Sequence, residues 1–106
     1  MKRYVVSADA RAGLDGVWDY IAGRSSTETA SVFLWRFHDA FAFLAQNRYA
    51  GVAVPGLDED SVRKFPLGNY LIYYRPIRGK VVIWRVLHGK RVQSRALRAN
   101  PRRPQA

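Results

Sequence analysis

Cysteine is absent from this chain, and acidic residues are absent from its last 46 residues. Without cysteine the chain has no disulfides, no thiolate metal ligands and no thiol nucleophile. From Ser61 to Ala106 it carries twelve Lys or Arg and no Asp or Glu. Its apolar runs are far shorter than the ~20 residues that a membrane-spanning helix requires. Disulfide-stapled and membrane-spanning classes are therefore excluded, and no membrane partner is expected.

The uneven distribution of basic residues along the chain is its most informative feature. Residues 1–60 hold six basic and eight acidic residues, so the net charge of +10 arises entirely from Ser61 onward. A concentrated cationic surface attracts negatively charged partners by raising their local concentration. Charge alone therefore predicts a partner that is either a polyanion or an acidic protein.

A chain of 106 residues is the size of one domain. We expect this domain to span residues 1–95, and residues 96–106 to form a flexible basic tail, because the hydrophobic pattern is lost there. The N-terminal apolar stretch is too short for a signal peptide. The lack of cysteine fits a reducing compartment, so we expect a cytoplasmic protein.

Two helices are predicted in the first half. Ser7 is a candidate N-cap for the first, which should end near Gly23. Its apolar face is spaced as on one side of a helix and comprises Leu14, Val17, Trp18 and Ile21. Ser25 and Glu28 match a capping box for the second helix, which should reach about Gln46. The longer apolar stripe of that helix comprises Ala30, Phe33, Leu34, Phe37, Ala40, Phe41 and Leu44.

Strands are predicted both before and after this helical hairpin in the sequence. One short run covers Arg3 to Val6, and three follow a loop over residues 47–60. They are rich in β-branched and aromatic residues and cover 62–65, 70–75 and 80–88, with turn signals at 66–69 and 76–79. The pattern predicts an α+β fold: an N-terminal strand, an antiparallel helical hairpin, then a three-stranded antiparallel meander. The first strand can join the same sheet, with the helices on one face.

Catalytic and metal-binding constellations find little support. Ser61 and Ser94 lie within the last 46 residues, which include no acidic residue, and His38 and His88 lie on different elements. His38 is predicted to be a structural residue of the second helix. The acidic run 58–60 has no accompanying histidine or second carboxylate cluster, so a solvated loop is predicted in place of a metal site. No phosphate-loop spacing occurs, and no cofactor is expected.

The basic and aromatic side chains of the predicted meander form the candidate site. Its cations are Arg63, Arg75, Arg85, His88, Lys90 and Arg91, and its aromatics are Tyr70, Tyr73, Tyr74 and Trp84. Arginine binds phosphates, and aromatic rings stack on bases. Arginine also pairs with carboxylates, so an acidic peptide suits the set equally. The competing interpretation is a solvated basic face with the aromatics in the core.

Regular alternation along the last strand gives two largely apolar faces. One would carry Ile83, Arg85 and Leu87, and the other Val82, Trp84, Val86 and His88. Because one helical hairpin can cover only one face, the other should remain as an apolar partner surface. We expect an amphipathic segment of another protein to cover it.

Several segments together resemble the ParE branch of the RelE/ParE toxin superfamily. The most specific is Arg-Val-Leu-His-Gly at 85–89, placed after the Tyr-Leu-Ile-Tyr-Tyr-Arg strand at 70–75. Residues 14–22 and 41–45 also match, and the resemblance covers roughly residues 3–92.

This resemblance implies the toxin of a type II toxin–antitoxin pair with the fold described above. Its partner would be a ParD-like antitoxin, whose acidic or amphipathic C-terminal segment wraps the toxin in a hetero-oligomer. DNA would be contacted through the antitoxin complex, and such pairs serve plasmid stabilisation. The ParE branch is associated with poisoning DNA gyrase, which implies a non-enzymatic inhibitor. The residues predicted to bind target or antitoxin are Arg63, Tyr70, Tyr73, Arg75, Trp84, Arg85, His88, Lys90 and Arg91.

Two other functions remain open at this stage. RelE-type ribonucleases, which cut mRNA on the ribosome, use strand Arg and Lys residues and a C-terminal Tyr. Here the corresponding central-strand position holds Tyr70, and the C-terminal position falls near Leu97. Were the chain a ribonuclease, its catalytic residues would be His88, Arg91 and Arg85, since a histidine can exchange protons near neutral pH. The third function is a basic nucleic-acid-binding module.

Overall fold

The computed structural model describes residues 3–55 and 62–89. Its elements in chain order are β1 (Tyr4–Val6), α1 (Ala8–Arg24), α2 (Thr27–Gln46), β2 (Val52–Ala53), β3 (Arg63–Leu67), β4 (Tyr70–Ile77) and β5 (Lys80–His88). The acidic run 58–60, Lys90, Arg91 and the predicted tail lie outside the described residues. Within the described ranges, neither helix has both the length and the apolar character needed to cross a membrane.

The strands form one mixed sheet in the order β1-β5-β4-β3-β2. β3, β4 and β5 form the predicted antiparallel meander. β1 joins the same sheet, pairing in parallel with β5. The α+β class with a helical hairpin is therefore confirmed. β2 is an addition, because a two-residue strand lies within the segment predicted as loop and pairs with β3.

The helix ends agree with the sequence within a residue or two. The Ser7 hydroxyl accepts a hydrogen bond from the backbone N–H of Ala10 at 3.0 Å, so the predicted N-cap of α1 is confirmed. At α2 the N-cap is Ser26, whose hydroxyl accepts from the N–H of Thr29 at 3.0 Å. The predicted capping box starting at Ser25 was wrong by one residue: with Ser26 as the N-cap, the residue three positions later is Thr29 and not Glu28.

The core lies between the helical hairpin and one face of the sheet. The predicted stripe of α2 supplies its centre, with Phe37, Phe41 and Leu44 fully buried. Tyr70 contributes from the sheet, and its ring meets that of Phe37 edge-on at 5.7 Å. Such large rings dominate core energetics through their buried area. We call the side of the sheet that packs on the helices its helix face.

Helix α1 approaches β5 closely at a glycine. A β-carbon at Gly13 would lie 2.6 Å from the carbonyl oxygen of Val86. A β-carbon could not be accommodated at that distance. Because glycine has no side chain, α1 can lie this close to the end of β5. At Gly16, about one turn later, a β-carbon would have no heavy atom within 4 Å apart from those of its own helical turn.

A β-bulge changes the phase of β5. Tyr73 pairs with Arg85 and Tyr74 with Ile83, so Trp84 is an extra residue on β5. Consequently Ile83 and Val86 both enter the core on the helix face. The prediction of strict alternation, which placed these two residues on opposite faces, was wrong.

Candidate interaction face of the sheet

The face of the sheet opposite the helices is the candidate site, and we call it the second face. A small cluster forms there around Tyr73, which is 1% exposed, and includes Leu71, Trp84 and Leu87. The rings of Tyr73 and Trp84 meet edge-on at 6.3 Å. The bulge on β5 turns Trp84 toward this cluster. An apolar centre therefore lies on the second face, as the sequence predicted.

Arg85 lies beside this apolar centre. Its guanidinium carbon is 5.8 Å from the centroid of the Trp84 ring, within the range of a cation–π contact. Burial raises the pKa of the Tyr73 hydroxyl, and the positive charge of Arg85 opposes part of that rise. Tyr73 thus stays protonated and neutral at physiological pH.

Two more cations share the second face. Arg75 lies two residues beyond Tyr73 on β4 and pairs with Val82 of β5. Lys64 of β3 pairs directly with Tyr73. Lys64 was missed among the predicted site residues. Alternation along β3 could have indicated its face only if the register of β3 against β4 had been known.

In residues 3–55 and 62–89, carboxylates are confined to the helical layer, which also carries three arginines. All carboxylates of the described residues lie on the helices: Asp9, Asp15, Asp19, Glu28 and Asp39. The described strands carry only cations: Arg63, Lys64, Arg75, Lys80 and Arg85. Because like charges in one layer reinforce each other, the sheet presents a positive potential. An anionic partner is therefore attracted more strongly to the sheet than to the helices, where five carboxylates outnumber three arginines.

Arg63 has a structural role at the edge of the sheet. Its Nε donates to the carbonyl oxygen of Gly51 at 2.8 Å, and its guanidinium carbon lies 5.3 Å from the centroid of the Tyr49 ring. The nearby Tyr74 hydroxyl is buried; it accepts from the Gly51 N–H at 2.8 Å and donates to the carbonyl oxygen of Arg48 at 2.9 Å. These bonds fasten β2 and the end of α2 to the meander.

Tyr70 and His88 belong to the helix face. Tyr70 is 8% exposed, and its ring meets the His88 ring edge-on at 5.2 Å. Both line a groove, together with Tyr20 and Asn69, between α1 and the end of β5. Of the predicted binding residues, the structure thus brings together Tyr73, Arg75, Trp84 and Arg85, and places Arg63, Tyr70 and His88 elsewhere.

The second face can bind anions and apolar groups but has few means of moving a proton. Its described ionisable groups are Lys64, Arg75, Arg85 and Tyr73, whose hydroxyl pKa is raised by burial. This face therefore has no described carboxylate or histidine that could exchange a proton. Among residues 3–55 and 62–89, no group of three or more His, Asp or Glu is placed to hold a metal ion. What this arrangement offers is recognition of a partner carrying carboxylates or phosphates next to apolar side chains.

Comparisons with known proteins agree with this picture. A family model described as the ParE toxin of the type II toxin–antitoxin system parDE matches residues 4–93. A solved structure of a chromosomal ParDE TA system from P. aeruginosa aligns with a TM-score of 0.67 and 22% identity, covering 83% of this chain and 96% of that one. At that identity the similarity concerns the fold. A search of curated proteins gives no match.

Proposed function

Since the chain belongs to the ParE toxin family of type II toxin–antitoxin systems, we propose that it inhibits DNA gyrase without catalysing a reaction and that a ParD-like antitoxin neutralises it. On this proposal it acts in the cytoplasm by binding, and stabilises a complex of gyrase with cleaved DNA. Its residues would make contacts and would break no bonds.

One observation carries the binding part of this proposal: the second face joins an apolar centre to cations and has no carboxylate among its described residues. Arg85 and Arg75 suit the carboxylates of an acidic segment, and Leu71, Leu87 and Trp84 suit its apolar side chains. An acidic, amphipathic antitoxin segment has both. Hydrogen bonds to charged groups of this kind contribute about 1.5–3 kcal/mol each.

The ribonuclease alternative receives less support. RNA cleavage through the 2′-hydroxyl needs a general base and acid close to the cations that stabilise the phosphorane. His88 pairs with Tyr70 on the helix face, whereas Arg85 pairs with Tyr73 on the second face. The sheet itself therefore lies between these two members of the candidate catalytic set, and the third, Arg91, lies outside the described residues.

A supercoiling assay with purified gyrase tests the target. We expect inhibition and trapped cleaved DNA, both reversed by the cognate antitoxin. Absence of both at micromolar toxin would contradict the gyrase proposal. Cleavage of ribosome-bound message, lost on His88→Ala, would favour the ribonuclease. Binding to bare DNA with a steep salt dependence, in the absence of gyrase inhibition, would favour the basic module.

An antitoxin titration tests the second face. Arg85→Ala should weaken the antitoxin complex about 10- to 100-fold, which corresponds to about 1.5–3 kcal/mol. Arg11→Ala is the matched control. Arg11 is an exposed arginine on α1, so its substitution removes the same charge from the helical layer. Equal losses for the two variants would mean that only the net charge matters. In that case the second face would not be the binding site.

A further inference from the structure

The outer side of α2 presents to solvent a row of residues in which two large apolar side chains lie among polar ones. The intervals between successive residues of this row are alternately four and three. Its members, all exposed, are Glu28, Val32, Trp35, Asp39, Ala42 and Gln46. Trp35 is 68% exposed and Val32 is 61% exposed, although both are large apolar side chains. Alternation of this kind places side chains on a single narrow seam, as at the contact between two packed helices.

The composition of this seam argues against an acidic partner. It carries two carboxylates, Glu28 and Asp39, and Arg36 lies about one turn before Asp39. An acidic segment that suits the second face would be repelled here.

The seam is instead symmetric about its midpoint, the level of residue 37 along the helix. Val32 and Ala42, a large and a small residue, lie at equal distances on either side of that level. The same is true of Trp35 and Asp39, a hydrogen-bond donor and an acceptor.

We propose that two copies of this chain associate through an antiparallel pairing of their α2 helices, with the two-fold axis crossing the exposed seam midway between Trp35 and Asp39. In that register Val32 of one copy faces Ala42 of the second, so a large side chain meets a small one. Trp35 faces Asp39 of the second copy, whose carboxylate can accept from the indole N–H. The two-fold axis repeats each contact, and the interface is therefore isologous.

The charges of the seam fit the same register. Arg36 neighbours Trp35 on its own helix, so it comes close to Asp39 of the second copy. Each copy thereby places its cation near the other copy's carboxylate, which fixes the antiparallel orientation. A parallel pairing would instead set Asp39 against Asp39. Because the helices and the second face are on opposite sides of the sheet, this dimer leaves the second face accessible. The inference does not rest on the proposed function.

Sedimentation velocity of the purified protein over a range of concentrations tests the dimer. We expect the sedimentation coefficient to rise with concentration, and Trp35→Ala to weaken the dimer by about tenfold or more, since each interface buries two indoles. Tyr49→Ala is the matched control: Tyr49 is 66% exposed and lies outside α2. It should leave the dimer unchanged. Circular dichroism of each variant checks that the fold is retained.

Disulfide cross-linking tests the register. Because the chain has no native cysteine, only the introduced cysteines can form a disulfide. The double variant Val32→Cys/Ala42→Cys should form a covalent dimer on oxidation. The two positions are about 15 Å apart along one helix, too far for a disulfide within a chain. Val32→Cys alone should cross-link far more slowly, because its two copies would also be about 15 Å apart.

Three results would overturn the inference. The wild-type protein staying monomeric at the highest soluble concentration would remove the dimer. Cross-linking of the double variant no faster than that of either single variant would remove the register. A monomeric wild type whose Trp35→Ala variant no longer binds the antitoxin would assign the seam to the antitoxin instead.

Discussion

Two glycines on α1 should respond in opposite ways to the same substitution. Replacing glycine by alanine inside a helix gains about 1 kcal/mol, because glycine loses more backbone entropy on folding. At Gly16 nothing within 4 Å opposes the new methyl group, so Gly16→Ala should stabilise the protein by about this amount. In a domain of about 100 residues that corresponds to a rise in melting temperature of roughly 4–8 °C.

At Gly13 the tertiary contact outweighs the helical gain. The β-carbon of Gly13→Ala would lie 2.6 Å from the backbone oxygen of Val86, which cannot rotate away as a side chain could. Forcing an extra carbon into a packed site costs about 1–3 kcal/mol. The helical gain is common to both variants and cancels in their comparison. Gly13→Ala should therefore be about 1–3 kcal/mol less stable than Gly16→Ala.

Urea unfolding followed by circular dichroism measures this difference directly. The midpoints should separate while the slopes stay equal, because neither change alters the surface exposed on unfolding. Equal stability of the two variants would refute the reasoning. It would mean that α1 stands further from β5 than the structure places it, and that Gly13 has no packing role.

Three further predictions concern a phenylalanine of the core and two buried tyrosines. Phe41→Ala should cost about 3–5 kcal/mol, since the ring is fully buried, and a loss below about 1 kcal/mol would mean that α2 is misplaced. Tyr74→Phe should cost about 1–3 kcal/mol, because Gly51 loses the acceptor of its buried N–H; Tyr49→Phe, on an exposed ring, should change nothing measurable. Burial raises the pKa of Tyr73 and Tyr74, so stability should hold below about pH 10 and fall as the pH rises above it, where the unfolded tyrosines ionise first. Tyr73→Phe should flatten that fall in a pH series of melting curves, and an unchanged slope would contradict the role of burial.

Local patterns predicted most of the fold. The stripe of α2 repeats with helical spacing, and the β-branched and aromatic runs repeat with strand spacing, so the type of each long element could be predicted correctly. β2 could not be predicted, because two residues are too short a segment to show any period. It forms only because β3 offers it a partner.

The candidate site was predicted less completely. Residue types identified an arginine- and aromatic-rich sheet, and Tyr73, Trp84 and Arg85 do meet on its second face. The assignment of residues to faces was not predictable beyond the middle of β5. One extra residue at Trp84 reverses the alternation, and nothing in the local sequence marks the bulge.

Composition and periodicity alone determined the class of the domain, its helical hairpin and its positive charge, because each of these depends on neighbours along the chain. Only the tertiary structure decided which cations face a partner. Arg63 and Arg85 look alike in the sequence, yet one is hydrogen-bonded to Gly51 and the other lies beside Trp84. That difference comes from strand register and a single bulge, which contacts between distant segments fix and local sequence does not.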